Sequence, residues 1–189
     1  MEQILSWDFS VLNFIQEHFR CDALDWLTQL FSTIGHAGIV WIVISVIFIF
    51  FKKTRAAGVI GLLSMGLGLL LGEFVIKNIV ARPRPFLTDD PRNLFLNAEL
   101  IVKKPSGYSF PSGHSCAAAA FGTVLLTKNK LLGLAFLVPV LYMMFSRCYA
   151  YVHFPTDVLA GMLLGILCAV VVLIIFRATK LDRRLSGRK

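Results

Sequence analysis

Long apolar runs, parted by short charged stretches, leave this chain few ways to fold in water. It is 57% hydrophobic with a mean hydropathy of +0.73, against roughly 45–50% apolar residues in a typical soluble domain. A run of about 20 apolar residues matches the hydrocarbon thickness of a bilayer, where backbone groups must be satisfied within the segment, so such runs fold as helices. The pattern predicts an all-α, polytopic transmembrane helical bundle of about five spans. Their cores fall at 37–51, with 27–35 available to extend the first, and at 56–80, 111–127, 131–146 and 155–176. The length of 189 residues suits a single membrane-embedded domain, 1–189.

The ends and connections carry the polar residues. Residues 1–22 read as an interfacial helix: Leu5, Phe9, Leu12, Ile15 and Phe19 recur at helical spacing, with Glu2, Asp8 and Glu17 away from that face. Met1 to Trp7 have no basic region followed by an apolar core, so insertion is expected from the internal spans and not from a cleaved signal. His36, within the first apolar stretch, reads as an interfacial or helix-packed histidine. The second span holds Gly58, Gly61, Gly66, Gly68 and Gly72, small residues that let helices approach closely in lipid. Residues 82–110 form a long polar loop and 177–189 a basic tail. Under the five-span count, the segment around Arg55, the Lys128/Lys130 turn and the tail share one side and carry eleven basic residues. The excess of positive charge on cytoplasmic loops then predicts a cytoplasmic C-terminus and an outer 82–110 loop.

Several classes drop out. The net charge of +8 is spent on short loops and the tail, and no basic-aromatic platform lies outside the spans, so nucleic-acid binding is not expected. Cys21, Cys116, Cys148 and Cys168 have neither metal-ligand nor redox spacing and read as small apolar fillers. No carboxylate cluster suggests magnesium or zinc.

What remains is chemistry at helix ends. Lys77 is followed after six residues by Arg84-Pro85; Pro111-Ser112-Gly113-His114 opens the third span; Ser146-Arg147 is followed after five residues by His153 and after three more by Asp157. All three clusters reach the outer face of a five-span bundle. Two arginines and a lysine suit a multiply charged anion, since guanidinium forks match phosphate oxygens. Pro111 in the first turn of a helix leaves the Ser112 and Gly113 amides free for an anion. Pro155 opens the fifth span with Asp157 in its first turn, four residues beyond His153, where a carboxylate can fix the imidazole tautomer. That pair suits a histidine nucleophile, with His114 left as general acid.

At these residues the chain resembles the type 2 phosphatidic acid phosphatase superfamily, which includes bacterial undecaprenyl-pyrophosphate phosphatases and vanadium haloperoxidases. The signature K-x6-R-P, P-S-G-H and S-R-x5-H-x3-D is matched in order from Lys77 to Asp157. The resemblance implies that Lys77, Arg84 and Arg147 bind phosphate and that Ser112 and Gly113 cradle it. It implies that His153 attacks, Asp157 activates His153 and His114 protonates the leaving group, with no metal or other cofactor. The implied activity is a metal-independent phosphatase acting on a lipid phosphate, first undecaprenyl pyrophosphate, then phosphatidylglycerophosphate or phosphatidic acid. A lipid phosphotransferase and a non-catalytic transporter stand behind these. Substrate and membrane lipids are the expected partners, and a bacterial plasma membrane with an outward-facing site is the expected setting.

Other polar residues near the motifs are open to two readings. Glu73, four residues before Lys77, either orients that lysine or hydrogen-bonds another helix. Tyr108, with Lys103 and Lys104, either contacts the head group or lies in a solvated loop. Arg82 reads as an arginine snorkelling to head groups, and 116–120 as a helix-packing run of small residues.

Overall fold

A computed structural model describes residues 2–34, 38–96, 99–181 and 185. Among these the chain is all-helical, with no strand. Two helices, α1 (Glu2–Phe19) and α2 (Asp22–Ile34), precede the apolar helix α3 (Ile39–Ile49). Helix α4 (Arg55–Leu69) continues through a π-helical stretch, Leu70–Ile76, into α5 (Lys77–Val80). After the loop come α6 (Gly113–Lys128), α7 (Lys130–Tyr149) and α8 (Pro155–Ala178). The stretch from Arg55 and helices α7 and α8 are long and apolar enough to cross a membrane, whereas α3 is apolar but shorter. Helix α6, with 16 residues, is wrapped by α4, α7 and α8.

The first predicted span is divided. The run read as continuous from 27 to 51 forms α2 and α3, and α3 starts after Gly38, whose φ of 79° is left-handed. A residue without a side chain adopts that turn at no steric cost. His36 lies outside the described residues.

Close approach explains the small residues. A Cβ at Gly161 would strike the Ser112 carbonyl, and one at Gly165 the Cys116 carbonyl, so α8 lies backbone to backbone on the start of α6. In lipid, where apolar burial drives little association, such contact is what holds helices together. In α4, Gly58 and Gly61 pack on Ser45 of α3, Gly68 meets Cys116, and Gly66 has nothing within 4 Å; in the π-helical stretch, Gly72 lies against Leu164 and Pro111. The 116–120 run is mostly packing, with Ala118, Ala119 and Ala120 buried. Gly165→Ala is therefore expected to destabilise the purified protein by about 1–3 kcal/mol through overpacking, read as a lowered melting temperature in detergent.

Helix α1 differs from the reading of its sequence. Phe9, Leu12 and Ile15 are buried as expected, but so is Asp8, completely. Its carboxylate accepts hydrogen bonds from the Thr156 amide (3.0 Å) and hydroxyl (2.6 Å) and from Arg82 (2.6 Å). Asn13 donates to the Arg92 carbonyl and Gln16 to the Tyr149 carbonyl. The helix is thus docked on the loops at the end of the bundle through specific polar contacts.

Candidate active site

The three sequence clusters meet at one end of the bundle, around a cavity of about 1320 Å³. Lys77, Arg84, Gly113, His114, Arg147 and His153 all line it.

The third cluster is set by the α7–α8 connection. Arg147, in the last turn of α7, is buried and donates to Ser146 Oγ (3.1 and 3.2 Å) and to Ser32 Oγ of α2 (2.9 Å). Its carbonyl accepts from the amides of Val152 and His153, closing a tight turn. Tyr151 holds a φ of 58° there, a conformation costing a non-glycine residue roughly 1–2 kcal/mol. Its buried ring and the hydrogen bond from its hydroxyl to Asn13 of α1 (3.0 Å) keep it in place. Pro155 then starts α8 as expected, and Asp157 Oδ2 accepts from the Phe154 amide at 2.9 Å.

His153 Nδ1 faces Asp157 Oδ2 at 3.7 Å, an ion-pair distance longer than a hydrogen bond, and Ser109 Oγ bridges them, bonding Asp157 Oδ2 and lying 3.4 Å from Nδ1. On the other edge of the ring, Arg84 Nη1 lies 3.1 Å from Nε2. A guanidinium has no lone pair to accept with, so Nε2 accepts and the neutral ring carries its proton on Nδ1, toward the carboxylate. Burial pushes the imidazole pKa down from 6.5 to about 4, against the pull of the nearby Asp157 carboxylate. A neutral imidazole with its lone pair on Nε2 is the form a histidine nucleophile requires.

Arg84 is almost fully buried and over-determined: it also donates to the carbonyls of Val152 (2.9 Å), Gly107 (3.1 Å) and Ser106 (3.1 Å). Lys77 follows the π-helical stretch and pairs with Glu73 at 2.7 Å. A Cβ at Gly113 would lie 2.6 Å from Glu73 Oε1, so this glycine admits the Glu73 carboxylate beside the start of α6. Of the two readings of Glu73, the Lys77 pair is the one present.

Several expectations need correction. Pro111 does not occupy the first helical turn; Ser112 is the N-cap, its hydroxyl accepting from the Ser115 amide, and Pro111 precedes it. The Ser112 amide is not free for an anion: it donates to the Asp157 carbonyl at 3.0 Å, tying α6 to α8. Gly113 lines the cavity and Ser112 does not. Tyr108 is exposed and outside the cavity lining, whereas Lys103 and Lys104 of the same loop do line it. Arg82 does not snorkel. It bridges Asp8 (2.6 Å) and Asp157 (2.7 Å), because two buried carboxylates offer a stronger partner than head groups do. Asp8 and Arg82 have partners that their sequence readings do not give them, and Ser109 and Ser32 carry no sequence signal for their roles. Among the described residues no group of three or more His, Cys, Asp or Glu is arranged to hold a metal ion.

Two guanidinium groups, an ammonium group and two histidines thus share one cavity lining. The PAP2 superfamily matches residues 57–180, so the chain belongs to that superfamily. Its relatives include an undecaprenyl-diphosphatase of Sulfolobus acidocaldarius, 36% identical over 127 residues, covering 67% of this chain and 58% of that relative. A phosphatidylglycerophosphatase B of Bacillus subtilis is 33% identical over 159 residues, covering 75% of this chain and 71% of the relative. The crystal structure of a transmembrane PAP2-type phosphatidylglycerolphosphate phosphatase from Bacillus subtilis superposes with a TM-score of 0.71, at 26% identity, over 94% of this chain and 88% of the other. That of Aquifex aeolicus LpxE gives 0.69 at 27% identity, over 87% and 93%.

Proposed function

We propose that this chain is a membrane lipid phosphatase that hydrolyses a phosphate ester or anhydride through a phosphohistidine at His153. The carrying observation is that His114 and His153 line the same cavity as Lys77, Arg84 and Arg147. Nε2 of His153 attacks phosphorus and the bond to the leaving oxygen breaks. His114 gives that oxygen its proton. Water, deprotonated by His114, then attacks phosphorus, frees inorganic phosphate and restores the imidazole. Arg84, Arg147 and Lys77 offset the charge on the phosphoryl oxygens, an electrostatic role that often supplies the largest part of catalysis. Asp157, acting through Ser109, keeps the proton on Nδ1, and its charge stabilises the ring as it becomes cationic. Gly113 admits the Glu73 carboxylate that holds Lys77 beside the start of α6, while Ser112 fixes that helix start.

Undecaprenyl pyrophosphate is the preferred substrate in this reading, supported by the undecaprenyl-diphosphatase relative. Phosphatidylglycerophosphate is the second, supported by the Bacillus relative that matches three quarters of the chain. The cavity continues from the cationic end along Ile42, Leu62, Met65 and Leu69, an apolar wall suited to a lipid chain. The positive-inside pattern of the basic segments supports a site on the outer face of a bacterial plasma membrane, with the tail in the cytoplasm. Purified protein should release inorganic phosphate from one or more of undecaprenyl pyrophosphate, phosphatidylglycerophosphate and phosphatidic acid at the same rate with and without EDTA. Absence of phosphate release across that panel, or loss of it in EDTA restored by a divalent cation, contradicts the reading.

A further inference from the structure

The contact between α1 and the site carries more than packing. Arg82 joins two carboxylates that are otherwise far apart in sequence: Nη2 meets Asp8 Oδ2 at 2.6 Å and Nη1 meets Asp157 Oδ1 at 2.7 Å. Thr156 completes the bridge, accepting from Arg82 Nη1 (2.7 Å) while donating its hydroxyl and amide to Asp8. The guanidinium stacks on the Phe154 ring at 3.9 Å, and Phe9 of α1 meets the same ring edge-on at 5.3 Å. The Arg82 carbonyl accepts from the Ser109 amide (2.8 Å), and the Ser109 hydroxyl is the group between Asp157 and His153. Both carboxylates are fully buried, and the Arg82 side chain is 18% exposed. Arg82 therefore holds Asp157 by charge on one side and by the placement of Ser109 on the other.

Accepting the phosphatase reading, we propose that Asp8 and Arg82 are positioning residues for His153, acting through Asp157, so that the N-terminal helix helps set how readily the nucleophile binds a proton. The charges facing His153 are Asp157 from α8, Arg84 from the loop and Lys77 from α5. Those facing Asp157 are Arg82, His153 and the neutral Ser109. Asp8 reaches the dyad through Arg82, whose charge it half-neutralises. Removing a positive charge beside the dyad makes the imidazole easier to protonate; removing a negative one makes it harder. Two substitutions in one bridge thus act with opposite sign. A purely structural staple has no such property, since breaking it from either end loosens the same joint.

The test is the pH dependence of kcat/KM for phosphate release by the full-length purified protein, on whichever lipid phosphate of the panel it hydrolyses. Arg82→Gln should move the acid limb up by about one pH unit and Asp8→Asn should move it down by about half a unit, from charge changes of this size several ångströms away. Arg82→Lys, which keeps the charge, should leave the limb near its wild-type position. Shifts in the same direction, or unmoved limbs with lower turnover, overturn the proposal. If Arg82→Gln does not fold, Asp8→Asn decides alone: a downward shift supports the bridge and an unmoved or upward limb overturns it. His153→Ala in the same series separates the two layers, because undiminished activity there defeats the phosphatase reading itself.

Discussion

Alanine at position 153 is expected to lower the turnover of lipid phosphate by about 10,000-fold or more, the scale seen when a catalytic nucleophile is deleted. The reason is specific to the atom. Nε2 carries the lone pair of the ring and meets Arg84, while Ser109 and Asp157 lie behind the ring, on its Nδ1 side. The fold should tolerate the change. Asp157 retains Arg82, Ser109 and the Phe154 amide, and Arg84 retains its three carbonyl partners. Truncation also removes a buried group that resists protonation. The expected signature is a collapse of kcat with KM and melting temperature little changed, measured by phosphate release and thermal unfolding in detergent. A variant that keeps more than about a tenth of wild-type kcat is incompatible with attack by His153.

Arg84→Ala should be the next most damaging change, costing about 100- to 10,000-fold in kcat/KM, in the range of losing a preorganised donor that meets developing charge. It has a structural cost as well. The carbonyls of Ser106, Gly107 and Val152 lose their donor together, and at the buried Val152, where water cannot replace it, that loss costs about 1–3 kcal/mol. The two effects separate with Arg84→Lys. A lysine keeps the charge but not the planar fork, so it should recover part of the stability while remaining at least about tenfold slower than wild type. Full activity in the lysine variant would mean that point charge alone suffices, and that the forked geometry around Nε2 is incidental. The readouts are steady-state phosphate release and the melting temperature of both variants.

The motif residues were legible because each cluster is local. A lysine and an arginine seven residues apart, a Pro-Ser-Gly-His at a span start, and a His and Asp four apart at a span end report their own geometry, and span counting sends them to one face. Much of α8 was legible for the same reason, since Pro155 marks its start. Long-range partners were not. Asp8 and Arg82 are separated by more than seventy positions, and a lone aspartate on an amphipathic helix reads as solvated until its partner is known. Ser32 of α2, which holds Arg147, is equally silent. The division between α2 and α3 was obscured because apolar residues on both sides of Gly38 read as one span; only the left-handed turn separates them. The Ser112 amide was misassigned because a free helix N-terminus is the local expectation, whereas the close α6–α8 approach permitted by Gly161 brings the Asp157 carbonyl to it. The π-helical stretch before Lys77 has no sequence signal of its own; such wide turns are commonly found beside functional sites.

The central claim is a covalent phosphoryl–imidazole bond at His153, and trapping it is the most direct measurement. Protein mixed with radiolabelled lipid phosphate and quenched in alkali within the first turnovers should carry label on the peptide containing His153, lost on acid treatment as a phosphoramidate is. The label should be absent from His153→Ala. Label that survives acid, label on another residue, or phosphate released at full rate with no labelled protein at any quench time would contradict the account.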